Sequence, residues 1–314
     1  MPNVPGISEL TAGHIQLVVA AAIDEDAPGG DVTSAALIPA TATLRAQLVA
    51  REPGVFSGGD VFLAAMRLAS IRTQKNTPGS SVHCTLLVPD GSAFEAGAVL
   101  AEVWGSARAI LLAERVALNF VQRMSAIATL TAAFVAEVVG TGATILDTRK
   151  TTPGLRHFER FAVRCGGGHN HRFSLSDAVL AKDNHLAWLT AQGSDFSSAL
   201  GFSSALGAAL AEARRRLPAT ARVTVEVDRL DQIEPVLAAG IAGADTIILD
   251  NFSLQHLAQG VAAVAGRART EASGGVTLQN VGAIARTGVN FISVGALTHS
   301  VRSLDLGLDV QPQQ

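Results

Sequence analysis

The sequence predicts an α/β protein in which a parallel sheet follows a smaller, strand-rich unit. From Ala143 onward, six short apolar stretches alternate with helical stretches, which is the pattern of a parallel sheet closed or nearly closed into a barrel. Up to about residue 105, strands and turns follow one another with one or two helices between them, which indicates an α+β unit. A chain of 314 residues with 48% hydrophobic content supplies apolar side chains for both parts.

The first third of the chain supports this division element by element. Residues 8–27 predict an amphipathic helix that ends in an acidic run followed by Pro28, Gly29 and Gly30. Residues 41–51 alternate apolar and polar side chains, as a half-buried strand does. A further helix is predicted at 59–70, and strands are predicted at 82–88 and 99–104.

The remainder of the chain changes to longer helical stretches and short strands. Residues 107–139 predict two helices separated near Ser125. The predicted strands are 144–147, 178–182, 223–228, 246–250, 269–273 and 291–295, and helices are predicted at 205–216, 231–239, 254–264 and 281–287. A tandem hexapeptide, Phe-Ser-Ser-Ala-Leu-Gly, fills residues 196–207. It is interpreted as a flexible surface connection, with a functional lid as the alternative.

Composition excludes several classes of protein. The formal net charge of −3 argues against nucleic acid or an acidic membrane surface as a partner. Cys84 and Cys165 form neither a disulfide framework nor a zinc spacing, which fits a reducing compartment. The N-terminus lacks the features of a secretory signal, and charged residues such as Arg108 and Glu114 interrupt the most apolar segment. A cytoplasmic protein is therefore expected.

Polar side chains follow every one of the six predicted strands, at the ends where barrel enzymes carry their active sites. The early ends are basic, and seven lysine and arginine side chains outnumber the acidic ones between Thr144 and His185. The basic candidates are Arg149, Lys150, His171, Arg172 and Lys182. Such groups suit carboxylates and pyrophosphate. For Arg156 and Arg160, on a predicted helix, a solvated surface is the preferred interpretation.

The later strand ends carry acidic and glycine residues. Glu226 and Asp250, on consecutive strands, suit Mg²⁺ or a positive charge that develops on a sugar ring. A structural ion pair with the basic ends is the alternative, and both roles are compatible. Glycines let backbone N–H groups approach a phosphate, and the candidates are Ser273, Gly274, Gly275 and Gly295. The residues alone thus predict an enzyme with polyanionic substrates.

Several motifs, in order along nearly the whole chain, resemble those of quinolinate phosphoribosyltransferases. They are GGDVTS (29–34), AERVALNFVQRMSAIATLT (113–131), DTRKTTPGLR (147–156), RCGGGHNHR (164–172), KDNH (182–185), EVD (226–228), LDN (249–251), EASGG (271–275) and SVGALTHS (293–300). The DTRKTTPGLR motif is the most specific of these. His169, and Ala181 before Lys182, depart from the residues usual at their positions and could alter the shape of the pocket.

The resemblance implies a fold and a reaction. The implied fold is an N-terminal α/β sandwich (1–117), joined by the tail 297–314, and an incomplete, seven-stranded α/β barrel (118–296). The implied reaction joins quinolinate to phosphoribosyl pyrophosphate with Mg²⁺, giving nicotinate mononucleotide, pyrophosphate and CO2 in de novo NAD synthesis. The family works as dimers or as hexamers of dimers, in which one subunit completes the site of its neighbour.

The resemblance also implies roles for the candidate residues. Arg149, His171, Arg172 and Lys182 match the positions that bind quinolinate. Arg115 matches an arginine supplied by the neighbouring subunit, and Lys150 matches the lysine on the pyrophosphate side. Glu226 and Asp250 match the acidic pair near ribose and metal, and the serine and glycines match the 5′-phosphate loops.

Two alternatives stay open from the sequence. One is a paralogous enzyme of the same architecture that acts on another base, such as the pyrophosphorylase-like proteins of molybdenum loci. The other is a binding or scaffold protein that kept the barrel but lost catalysis.

Overall fold

The computed structural model describes residues 10–74, 81–182, 184–186, 188, 199–218, 221–238 and 244–311. The chain forms two compact units. The first comprises residues up to 132, residues 151–167 and residues from 300 onward, and the second comprises residues 133–150 and 168–299. The predicted domain ranges 1–117, 118–296 and 297–314 stay a prediction.

A four-stranded antiparallel sheet forms the framework of the first unit. Its elements are α1 (Ala12–Asp26), α2 (Val32–Leu37), β1 (Thr43–Ala50), β2 (Gly54–Val55), α3 (Gly59–Gln74), β3 (Val82–Leu86), β4 (Ala93–Phe94), β5 (Val99–Ser106) and, late in the chain, β12 (Leu306–Val310). The strand order is β12-β1-β5-β3, and β2 pairs with β4. Ala46, Leu48 and Ala50 of β1 are buried, which confirms the predicted alternation.

The helix after β5 is continuous, so the predicted separation near Ser125 is wrong. Helix α4 covers Ala107–Glu137. Ser125 is fully buried, and its hydroxyl oxygen accepts a hydrogen bond from the Ser57 backbone N–H at 3.1 Å. The serine therefore joins the helix to the neighbouring loop rather than breaking it. A polar residue in an apolar stripe is a weak signal of a break, because its partner is distant in sequence.

Helix α5 (Arg156–Cys165) corrects a second expectation. Arg160 was expected on a solvated face, but it is only 9% exposed. Glu159, 1% exposed, accepts a hydrogen bond from Nε of Arg123 at 2.9 Å and one from the Thr152 backbone N–H at 3.1 Å. The charged residues Glu159 and Arg160 thus belong to the packed interior of the first unit.

A six-stranded parallel sheet forms the core of the second unit. Its strands are β6 (Thr144–Leu146), β7 (Val179–Ala181), β8 (Val223–Val227), β9 (Thr246–Asp250), β10 (Arg269–Ser273) and β11 (Phe291–Ser293), in the order β6-β11-β10-β9-β8-β7. All six predicted strands are confirmed. Within the described residues β6 and β7 are the two outer strands, and an isolated parallel bridge joins Leu146 to His169. The implied seventh strand stays a prediction.

Helices connect these strands. They are α6 (Ala199–Arg216), a 3-10 helix (Leu230–Gln232) that leads into α7 (Ile233–Leu237), α8 (Leu254–Val264), α9 (Leu278–Ala285) and α10 (Ala296–His299). Ile247, Ile248 and Leu249 are all nearly inaccessible, so β9 is buried on both faces, as central parallel strands are. No helix among the described residues has the length and apolar character needed to cross a membrane.

The tandem hexapeptide is helical over much of its length. Its first residues, 196–198, lie outside the described residues, and Ala199 begins α6. The expectation of a flexible connection is therefore wrong from Ala199 onward. Alanine and leucine have high helix propensity, and they prevail here over serine and glycine.

Gly166 should be intolerant of any side chain. It follows α5, and a Cβ placed on it would lie 2.3 Å from the carbonyl oxygen of Ala128 and 2.6 Å from Cβ of Thr131. We expect Gly166→Ala to lower the free energy of unfolding by about 1–3 kcal/mol through overpacking. Urea denaturation measures the difference.

Gly13→Ala is the matched control. Gly13 lies in the first turn of α1, and a Cβ added to it would have no atom within 4 Å. This substitution should be neutral or slightly stabilising, since alanine favours the helix. Equal stability of the two variants would contradict the close-packing account of Gly166.

Candidate active site

The carboxyl ends of the parallel strands gather nearly all of the predicted site residues at one edge of the sheet. Arg149 and Lys150 follow β6, and Lys182 follows β7. Glu226 lies near the end of β8, while Asp250 and Ser273 end β9 and β10. Because all six strands are parallel, these ends lie along the same edge. Arg115 is the exception: it is an exposed residue of α4 in the first unit.

The buried carboxylate of Asp147 attaches the segment 169–172 to β6. Asp147 is completely buried, and its Oδ1 accepts a hydrogen bond from the His171 backbone N–H at 2.7 Å. Its Oδ2 accepts one from Nδ2 of Asn170, also at 2.7 Å. Backbone hydrogen bonds between His169 and Ile145 and between Asp147 and His169 extend the contact along the strand. Asp147 and Asn170 thereby position His171 and Arg172, a role the sequence reasoning missed.

Two guanidinium groups lie close enough to repel each other at this edge. Burial lowers the pKa of Arg172, the charge of Arg149 lowers it further, and the carboxylate of Asp177 opposes the shift. The Nη1 of Arg172 donates to the carbonyl oxygen of Ala178 at 2.9 Å. Arg149 is half-buried, and its Nε is buried without a hydrogen-bond partner in the described part of the chain. Since arginine stays protonated in proteins, this pair is ready to bind an anion with two acidic groups.

His171 contacts a buried acid that the sequence reasoning did not select. Its Nδ1 accepts a hydrogen bond from the Arg172 backbone N–H at 2.8 Å, so a neutral ring carries its proton on Nε2. That Nε2 lies 3.7 Å from Oε2 of Glu271, which is 2% exposed. Burial raises the pKa of Glu271 to about 7; the Ser293 hydroxyl opposes the shift, the charge of Glu226 adds to it, and Lys182 opposes it. The signal in the sequence that could have identified Glu271 is a single acidic residue among the buried residues of β10.

Lys182 and Glu226 form an ion pair at the outer part of the sheet. Nζ of Lys182 lies 2.9 Å from Oε2 of Glu226. The sequence left open a structural ion pair between the acidic and basic strand ends. Lys182 and Glu226 form such a pair. Glu226 and Glu271 are both in register with Ile248, so the two acids lie on the same face of the sheet, one strand apart on either side of β9.

The loop after β10 requires its glycine. Gly274 has φ +91°, and a Cβ there would lie 2.0 Å from Oδ1 of Asn251. Asn251 itself adopts φ 56°, and its side-chain amide donates to Oδ2 of Asp250 at 2.7 Å. Gly275 also has positive φ, and its carbonyl oxygen accepts from Nδ2 of Asn280 in α9. The loop thus brings backbone N–H groups and the start of an eight-residue helix beside Asp250.

Lys150 lies against the loop after β11. The Thr298 hydroxyl donates to the carbonyl oxygen of Lys150 at 2.7 Å. A Cβ on Gly295 would lie 3.2 Å from Cδ of Lys150 and 2.9 Å from Nε2 of His299. A larger residue than glycine would therefore force the His299 ring to shift and would press on the Lys150 side chain. The exposed ammonium of Lys150 and this glycine are brought together, as a site for a phosphate or pyrophosphate group requires.

The two residues that departed from the usual motifs differ in exposure. Ala181 is buried at the end of β7, where it pairs with Val225, whereas His169 is exposed beside β6. Of the two, Ala181 has the packed environment in which a change of size would move its neighbour Lys182.

Ionisation of Glu271 should reduce the stability of the folded protein. The pKa in the folded state, about 7, exceeds the ordinary value of 4.5, so the group contributes stability below pH 4.5 that is lost as the pH rises through 7. We expect Glu271→Gln to become more stable relative to wild type between about pH 5 and about pH 8. Denaturant unfolding at both pH values checks this. A parallel pH dependence of wild type and Glu271→Gln would contradict the prediction.

Comparison with known proteins gives the same family for both parts of the chain. Residues 31–125 match the family model of the quinolinate phosphoribosyl transferase N-terminal domain, and residues 127–309 match that of the C-terminal domain. The chain is 42% identical to nicotinate-nucleotide pyrophosphorylase (carboxylating) of Mycobacterium leprae, over 92% of this chain and 94% of that protein. It is 39% identical to the probable enzyme of the same name from Bacillus subtilis, over 91% and 90%.

Comparison with solved structures gives the same family. NadC from Streptococcus pyogenes superimposes with a TM-score of 0.84 at 36% identity, covering 97% of this chain and 99% of that one. The nicotinate-nucleotide pyrophosphorylase from Francisella tularensis gives a TM-score of 0.82 at 33% identity, covering 98% and 100%. The α/β class, with a parallel sheet and a separate antiparallel sheet, is thereby confirmed. The chain belongs to the quinolinate phosphoribosyltransferase family.

Proposed function

We propose that the carboxyl edge of the parallel sheet carries out the reaction of this family. The substrates are quinolinate and phosphoribosyl pyrophosphate, and the products are nicotinate mononucleotide, pyrophosphate and CO2, a step in NAD biosynthesis. The observation that carries the proposal is the neighbouring pair Arg149 and Arg172, whose mutual repulsion an anion with two carboxylates would relieve. Quinolinate is such an anion.

Quinolinate binding is assigned to the basic residues of this edge. The guanidinium groups of Arg149 and Arg172 offer paired donors to carboxylates, and Lys182 adds a third charge beside them. His171 carries its neutral-ring proton on Nε2, so that nitrogen is a donor. Several fixed cations are needed because a dianion loses much hydration when it enters a protein site. The buried carboxylate of Asp147 accepts the His171 backbone N–H and thereby holds the segment that carries His171 and Arg172.

The phosphoribosyl group is assigned to the later strands. Ser273, Gly274, Gly275 and Gly295 would bind the 5′-phosphate through backbone N–H groups, and Lys150 would meet the pyrophosphate. The ring nitrogen of quinolinate attacks C1 of the ribose while the bond from C1 to pyrophosphate breaks. Carboxylates of Glu226 and Asp250 would stabilise the positive charge that develops on the sugar.

Loss of CO2 follows from the charge on the ring. Once the ring nitrogen is ribosylated, the pyridinium accepts the electron pair of the adjacent carbon–carboxylate bond. CO2 leaves, and a proton replaces it on the ring carbon. The cations around the leaving carboxylate bind the substrate, and the positive ring supplies the driving force.

Mg²⁺ fits the acidic pair only as an ion shared with substrate. The described residues contain no cluster of three or more histidine, cysteine or acidic side chains that would hold a metal by themselves. Glu226 and Asp250 supply two carboxylates, and Mg²⁺ commonly binds one or two carboxylates together with substrate phosphates and water. When bound, it would neutralise charge on the pyrophosphate. The residues therefore fit an ion that arrives with phosphoribosyl pyrophosphate.

Arg115 is assigned to the site of a neighbouring subunit. It is exposed on α4, away in sequence from every other candidate. We infer a homodimer, or a hexamer of dimers, in which Arg115 of one chain contributes to quinolinate binding in the next. A cytoplasmic location, predicted from the sequence, stays a prediction.

The choice of substrate distinguishes the proposed enzyme from a paralogous enzyme that acts on another base. Turnover with quinolinate should exceed that with nicotinate, because nicotinate offers one carboxylate where Arg149 and Arg172 fit two. Release of pyrophosphate and CO2, measured with each acid in the presence of phosphoribosyl pyrophosphate and Mg²⁺, decides the matter. A preference for nicotinate would overturn the substrate assignment, and no pyrophosphate release with either acid would favour a non-catalytic protein.

Arg149→Ala tests the site directly. Loss of a charge-assisted, bidentate contact should lower kcat/KM for quinolinate by about 100-fold or more. The melting temperature should change little, because the guanidinium Nε has no hydrogen-bond partner in the described part of the chain. Arg216→Ala, which removes an exposed arginine paired with Glu212, is the control and should keep full activity. Near-normal turnover of Arg149→Ala would remove this residue from the site.

A further inference from the structure

A polar cavity lies at the other edge of the parallel sheet, where the strands begin. It has a volume of about 610 Å³ and lies within the second unit. Arg222, Asp245, Arg269 and Asn290 line it, and each lies immediately before or at the start of its strand. Arg214 and Arg267 complete the polar lining. The cavity is therefore separated from the candidate active site by the length of the strands.

Two of the four arginines have structural partners. Nη2 of Arg214 lies 3.0 Å from Oδ2 of Asp245, near the end of α6. Arg267 donates to both carboxylate oxygens of Glu234, at 2.9 and 2.7 Å, and to the carbonyl oxygen of Ala263 at 2.8 Å. Both cations lie at or just beyond the ends of helices, where the helix dipole favours positive charge. Hydrogen bonds, ion pairs and helix ends therefore explain the positions of Arg214 and Arg267 without a ligand.

Ion pairs of this kind do not explain the positions of Arg222 and Arg269. Both are exposed, and neither forms an ion pair with an acidic side chain in the described part of the chain. Arg269 lies 5.5 Å from the centre of the Phe291 ring, which orients its guanidinium without neutralising it. The neighbouring residues 219–220 and 239–243 include no ionisable side chain in the sequence. Among the described residues that line the cavity there are four arginines and one acid, Asp245, which pairs with Arg214, while Arg267 pairs with Glu234 outside the lining.

Asn290 adds a neutral donor. Its Oδ1 accepts the Thr270 backbone N–H at 2.8 Å, so Nδ2 is the end of the amide that is left to donate to a ligand. Two arginine forks and an amide donor around one cavity match phosphate oxygens. The volume lies in the range of small-molecule sites. A single carboxylate would leave one of the two arginines unmatched.

We propose that this cavity binds a small metabolite carrying a diphosphate or triphosphate group, held by Arg222, Arg269 and Asn290. The site is independent of the proposed function, because it shares no residue with the candidate active site. A nucleotide and a free oligophosphate present the same charged group, and the two differ only in contacts outside it.

Calorimetric titration of the full chain with ADP, and separately with inorganic pyrophosphate, tests the proposal. The variant is Arg222→Ala/Arg269→Ala. The matched control is Arg215→Ala/Arg216→Ala, which removes two exposed arginines that pair with Glu212 outside the cavity and changes the net charge equally. Binding of at least one probe should weaken about tenfold or more in the variant and stay unchanged in the control.

Quinolinate turnover should be unaffected in both double variants, which shows that the fold and the active site are intact. Weakened binding of ADP alone identifies a nucleotide as the ligand, and weakened binding of both probes assigns the contact to the diphosphate. If the two probes bind wild type, variant and control equally, or bind none of them, the proposed site is absent.

Discussion

The hydrogen bonds of the buried Asp147 carboxylate are the contact on which the candidate active site depends. A carboxylate with no exposed surface must be fully hydrogen-bonded, and Asp147 satisfies this with the backbone of His171 and the side chain of Asn170. These bonds attach a basic segment to the end of the first parallel strand. The strand therefore fixes the direction of His171 and Arg172, which a free loop would not do. Arg149 lies two residues after Asp147 in the chain, so it follows the same end of the first parallel strand.

The charges at this edge of the sheet support its assignment to anionic substrates. Arg149 and Arg172 repel each other, and the pKa of Arg172 falls as a result of burial and of that repulsion. Lys182 is partly neutralised by Glu226, whereas Glu271 lies buried with its pKa raised to about 7. Glu226 thus lies beside Lys182, and the buried Glu271 lies next to His171. A dianionic substrate would add negative charge beside the two guanidinium groups.

The sequence was sufficient for the strands and for most of the polar residues at their ends. A parallel sheet makes this possible, because residues that follow buried strands must meet at one edge whatever the loops do. Contacts between residues that are distant in sequence could not be predicted in the same way. Ser125 appeared to be a helix break because its partner Ser57 lies far away in the chain. Arg160 and Glu271 are buried by tertiary packing, which local periodicity does not record.

A crystal structure with bound quinolinate decides whether this edge of the sheet is the active site. We expect the two carboxylates of quinolinate to contact the guanidinium groups of Arg149 and Arg172, with Lys182 beside them. We also expect Arg115 to reach the ligand from another chain. Quinolinate bound elsewhere, or bound at this edge without contact to either arginine, would contradict the assignment of the site.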